Sequence, residues 1–121
     1  MMLEVYVQTD ILEKEEIRAL SNEDISVDKL VTMGFIPEEF IIVIMECAQN
    51  IKWNLVYDTL KYVVLSISNK LKEKKIPKTT KTNGKIIVSN ENKSCTIEIN
   101  YPISEETFKE LALEAIRGIY K

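Results

Sequence analysis

The run Phe40-Ile41-Ile42-Val43-Ile44-Met45 is the most apolar stretch of the chain, and its reading sets how much of the fold is sheet. Ile41, Ile42, Val43 and Ile44 are β-branched, which suits a buried strand because stiff side chains pack well on a pleated surface. The flanks point the other way. Pro37 followed by Glu38 and Glu39 is a helix-start pattern, since proline needs no amide partner in the first turn and carboxylates favour the positive end of the helix dipole. Glu46-Cys47-Ala48-Gln49 continue without a break. The flanks therefore favour a helix surrounded by core over 40–45, with a buried strand as the alternative.

Upstream, Leu3, Val5 and Val7 alternate with Glu4, Tyr6 and Gln8, the period of a half-buried strand. Asp10, with Glu13 three residues on, reads as the cap of a short helix over 11–20. Residues 21–24 are turn formers. The segment 25–33 fits a strand, from Ile25, Val27, Val31 and Met33, and fits equally a short helix stopped by Gly34.

Downstream, Val56, Leu60, Val63, Ile67 and Leu71 step by three and four, the stripe of an amphipathic helix. The pattern gives out in a lysine-rich loop over 72–84 that contains Pro77 and ends at the turn-forming pair Asn83-Gly84. Residues 85–89 and 94–101 are β-rich runs around a four-residue loop, Asn90-Glu91-Asn92-Lys93, and Cys95, Ile97, Ile99 and Tyr101 share one side. Pro102 stops the second run. Ser104 then caps a final helix with Glu105 and Glu106 in its first turn and an apolar face of Phe108, Leu111, Ala112, Ala115, Ile116 and Ile119. Together these elements predict a single α+β domain over 1–121. Its small, mostly antiparallel sheet, an N-terminal strand plus a C-terminal hairpin, is covered on one face by helices.

The residue inventory narrows the chemistry. The chain has 121 residues and no histidine, the side chain most used for proton transfer near neutral pH and the commonest metal ligand. Gly34, Gly84 and Gly118 stand apart, so no glycine-rich phosphate loop is encoded. Cys47 and Cys95 match no metal-ligand spacing and have no activating base or cation nearby in sequence; both read as reduced core thiols. No enzyme activity and no cofactor or metal site are expected. No basic-then-apolar leader is visible and no apolar stretch approaches the roughly 18 residues of a spanning helix, so a cytoplasmic protein that does not cross a membrane is expected.

Charge is uneven although the net is only −3: residues 1–46 hold eleven acids against three bases, and 47–121 hold thirteen bases against eight acids. Three candidate surfaces follow. Glu13, Glu15, Glu16, Glu23 and Asp24 could engage a protein partner, or mask a basic site as an immunity protein or a phage-encoded inhibitor would. Asp10 with these carboxylates could in principle hold a cation, although a solvated helix face is the plainer reading. Lys72, Lys74, Lys75, Lys78, Lys81 and Lys85 could track nucleic acid or another anionic ligand, though without arginine or interleaved aromatics. Trp53, Tyr57 and Tyr62 fit either the core or an aromatic anchor. The final helix and the free hairpin edge are both usable in a homodimer.

The order of Leu3-Glu4-Val5-Tyr6-Val7, a helix over 55–74, Lys85-Ile86-Ile87-Val88, Cys95-Thr96-Ile97-Glu98-Ile99 and the capped Ser104-Glu105-Glu106 helix resembles the effector-associated constant component domains of bacterial conflict systems. The resemblance implies a non-catalytic adaptor that couples a variable effector to a shared partner.

Overall fold

A computed structural model describes residues 3–9, 11–30, 40–47, 51–73 and 82–120. Five strands and three helices follow in the order β1 (Leu3–Thr9), α1 (Lys14–Arg18), β2 (Ile25–Lys29), β3 (Phe40–Cys47), α2 (Trp53–Glu73), β4 (Thr82–Asn90), β5 (Lys93–Tyr101) and α3 (Glu105–Gly118). The strands form one sheet in the order β2-β1-β3-β4-β5. Its pairings are mixed: β1 with β2 and β3 with β4 are parallel, while β1 with β3 and β4 with β5 are antiparallel. The mostly antiparallel sheet expected from the sequence is corrected on this point, while the terminal hairpin and the helix-covered face are present.

The correction traces to 40–45, where the favoured helix is instead strand β3. Its residues bury alternately, with Ile41, Val43 and Met45 fully enclosed and Phe40, Ile42 and Ile44 half-buried on the other side. A strand hydrogen-bonded on both edges can be apolar on both faces, so its run shows no helical or alternating period. Once 40–47 is a strand, α2 becomes the crossover that a parallel β3–β4 pairing needs. The helix start at Pro37-Glu38-Glu39 and the cap at Asp10 lie outside the described residues. The start of α1 is formed by Glu13, which makes a reciprocal capping box with Glu16. Segment 25–33 resolves to a strand at Ile25–Lys29, and residues 31–33 lie outside the described residues.

Two further readings shift. The loop over 72–84 is shorter, because Lys72 and Glu73 belong to α2 and Thr82, Asn83 and Gly84 begin β4. Gly84 is required for close approach and makes no turn. A Cβ there would sit 2.5 Å from Cε2 of Tyr101 and 2.9 Å from Ile99, so the Tyr101 ring packs directly on the strand backbone. The hairpin closes through Glu91-Asn92 alone, with Asn90 opposite Lys93 and Glu91 at φ 55°, in place of a four-residue loop.

One core joins the helices to the sheet. Leu3, Val5 and Val7 of β1, Ile86 and Val88 of β4, and Ile97 and Ile99 of β5 meet Leu12, Ile17, Val56, Leu60, Val63, Val64, Ile67, Phe108, Ala112 and Ile116. Each fully buried aliphatic side chain contributes on the order of 1.5–3 kcal/mol. Tyr57 stacks on Phe108 at 5.6 Å between centroids, and Lys61 pairs with Glu105 at 3.2 Å. Ser104 accepts the Thr107 amide at 3.2 Å, as expected of the α3 cap. Leu111, placed by sequence on the apolar face of α3, is 44% exposed.

Candidate partner-binding surface

Because side chains alternate along a strand, burying Val5, Val43, Ile86 and Ile97 under the helices turns their neighbours to the opposite face. The register fixes the content of that face row by row. Asp28, Tyr6, Ile44, Ile87 and Thr96 lie side by side across all five strands. The next row runs Gln8, Ile42, Lys85, Glu98, and beyond it Phe40 is opposite Asn83, which is opposite Asn100. In the other direction Glu4 is opposite Ser26, and Glu46 opposite Ser89, which faces Ser94. All three helices pack on the other side, and Phe40, Ile42, Ile44 and Ile87 stay half-buried while Tyr6 is 37% exposed.

The face is therefore an apolar stripe along β3, widened by Tyr6 and Ile87 and bordered by polar residues. One residue beyond the Val5–Met45 pair that ends the β1–β3 ladder come Glu4 on β1 and Glu46 on β3. The Tyr6 hydroxyl donates to Glu4 Oε2 at 3.3 Å. The negative charge of Glu4, with Asp28 and Glu46 close by, holds the Tyr6 hydroxyl above its usual pKa. Asp28 is itself pulled below the ordinary carboxylate range by the Arg18 guanidinium at 3.1 Å, helped by the Lys29 amide. Among the described residues no cation pairs with Glu4 or Glu46.

The acidic residues singled out from sequence lie elsewhere. Glu13 and Glu16 close the start of α1, Glu15 is exposed on that helix, and Glu23 and Asp24 lie in the turn before β2. The Asn22 side chain holds this turn by accepting the Asp24 and Ile25 amides. Among the described residues no group of three or more histidine, cysteine, aspartate or glutamate side chains could hold a metal. Of the lysines, Lys74, Lys75, Lys78 and Lys81 lie outside the described residues. Lys72 is exposed in the last turn of α2, and Lys85 lies on the open face beside Ile42 and Glu98.

The aromatic trio divides. Tyr57 is buried, Trp53 is half-buried under the Arg117 guanidinium at 5.1 Å, and Tyr62 donates to the Leu20 carbonyl at 2.7 Å. Both cysteines are free, and burial raises both thiol pKa values, which disfavours the thiolate needed for nucleophilic work. No described helix is long and apolar enough to cross a membrane. Phe40, Ile42, Ile44 and Ile87 were not candidates from sequence. The available signal was the absence of polar residues on either parity of 40–45, which a two-faced strand produces and a one-faced strand does not.

Comparison with protein-family models, with curated proteins and with solved structures finds none that matches the chain.

Proposed function

We propose that the protein is a non-catalytic binding module, an adaptor that engages a protein partner through the open face of its sheet. The observation that carries this reading is the stripe Phe40, Ile42, Ile44, Ile87 and Tyr6, set on the face that none of the described helices covers. An apolar centre with a polar border is the make-up of a protein interface, and aromatic residues such as Tyr6 are favoured anchors within one. The missing histidine and the burial-raised thiols support a non-catalytic role.

The test compares proteins captured from cells expressing the wild type, Ile44→Glu, and Thr96→Lys, which carries a charge on the same face but outside the stripe. Partners kept by the wild type and Thr96→Lys and lost with Ile44→Glu are the expected result. Capture that is indifferent to Ile44→Glu would refute the reading.

A further inference from the structure

The open face also restricts what can lie on it. A strand bound to the face of a sheet cannot hydrogen-bond its backbone there, because the sheet's own amides and carbonyls point along the plane to neighbouring strands. The occupant must satisfy its backbone internally, as a helix does, or bring a second sheet. A second sheet needs apolar residues spread across the strands, whereas here Ser26, Ser89, Ser94, Thr96, Glu98 and Asn100 occupy the flanks. Phe40, Ile42 and Ile44 span about 13 Å along β3 at ~3.3 Å per residue, the length of two to three helical turns.

Charge supplies the remaining constraint. Glu4 and Glu46 lie at one end of the stripe, one residue beyond the Val5–Met45 pair on their strands, and the charge of both bears on the Tyr6 hydroxyl. Asp28 and the Tyr6 hydroxyl lie beside them, and among the described residues only Asp28 has a cationic partner. Including Glu98, the described residues of the face carry four carboxylates, of which Asp28 is held by Arg18 and Glu98 lies opposite Lys85.

We infer that the occupant of this face is a basic amphipathic helix, laid along β3 with its apolar side on Phe40, Ile42, Ile44 and Ile87 and its lysines or arginines over Glu4 and Glu46. This rests on the open face being the binding surface proposed above. A cation arriving there gains the attraction of both carboxylates, so charge favours this helix over a neutral one.

The test is a selection from a displayed library of helix-forming peptides of about 14 residues, enough for the stripe and one further turn. The bait is the full chain, with Ile44→Glu for counter-selection, and retained folding of each variant is verified by thermal melting. The expected winners carry apolar residues at i, i+3, i+4 and i+7 with lysine or arginine in the adjoining turn. Their affinity falls about tenfold or more with Glu4→Lys or Glu46→Lys and recovers when the peptide cations become glutamate. Winners that require Ile44 yet are neutral or acidic, or ignore Glu46→Lys, overturn the basic helix and leave the binding face standing. A library yielding no peptide sensitive to Ile44→Glu overturns both. A dimer seen by light scattering and split by Ile44→Glu makes a second copy the occupant, which also overturns the inference.

Discussion

The two faces of the sheet are made from alternate residues of the same five strands, and both are apolar along β3. On the helix side Ile41, Val43 and Met45 are fully enclosed; on the other, Phe40, Ile42 and Ile44 keep part of their surface in water. The same residue types therefore do different work. Inside, apolar surface removed from water stabilises the fold. Outside, comparable surface contributes less to folding and remains available for association.

The largest expected effect separates the faces by stability. Phe108 is fully buried and stacked on Tyr57, so Phe108→Ala should cost about 3–5 kcal/mol of unfolding free energy, measured by denaturant titration. Ile44→Thr keeps the β-branch of a half-buried position and should cost less than about 1 kcal/mol. Equal losses in the two variants would mean that the open face is packed in solution as tightly as the core.

Gly84 sharpens the contrast at one position of β4. The Cβ of alanine would meet the edge of the buried Tyr101 ring, so Gly84→Ala should destabilise by about 1–3 kcal/mol through overpacking. Asn83 lies next to it on the opposite face and is exposed, so Asn83→Ala should stay within about 0.5 kcal/mol. A neutral Gly84→Ala would show that the Tyr101 ring can move aside.

How far the sequence revealed this division depends on the strand. For β1 the alternation of Leu3, Val5 and Val7 with Glu4, Tyr6 and Gln8 was legible, since one side is polar and the other apolar. The stripe on α2 and the Ser104 cap were legible for the same reason: each expresses a local rule in local residues. β3 was not, because its apolar character on both faces arises from pairing with β1 and β4, which are distant in sequence, while the Pro-Glu-Glu start speaks only for the local chain. Losing β3 also hid the parallel pairing and the open-face stripe. Asn83-Gly84 misled similarly: the glycine answers to a tyrosine seventeen positions away and takes no part in a turn.

Ser68 tests the helix layer at a polar contact. Its hydroxyl accepts the Ile103 amide at 3.2 Å in a buried setting where the chain passes from β5 to α3. Ser68→Ala leaves that amide without this acceptor and should cost on the order of 1–3 kcal/mol. Ser94→Ala, on the exposed row of β5, should be near neutral. Matching losses would mean that the hydroxyl is only filling space on the covered side.

The smallest effect lies at the border of the open face and reads its electrostatics directly. Asp28 titrates below the usual carboxylate range because Arg18 hydrogen-bonds its ionised form. A carboxylate with a lowered folded-state pKa contributes stability that is present above its unfolded value, near 3.8, and is lost as pH falls through the lowered value. Both partners are substantially exposed, so the contribution to folding is slight and the NMR titration of the Asp28 carboxyl is the better readout. In Arg18→Gln its midpoint should move up toward the ordinary range. Tyr6 has the opposite sign: its raised pKa reports the carboxylates around it, so Glu4→Gln should lower the Tyr6 midpoint even though Asp28 and Glu46 stay in place. If Glu4→Gln leaves Tyr6 unchanged, the acidic end of the stripe is not assembled as described, and the charge argument for a basic partner loses its footing.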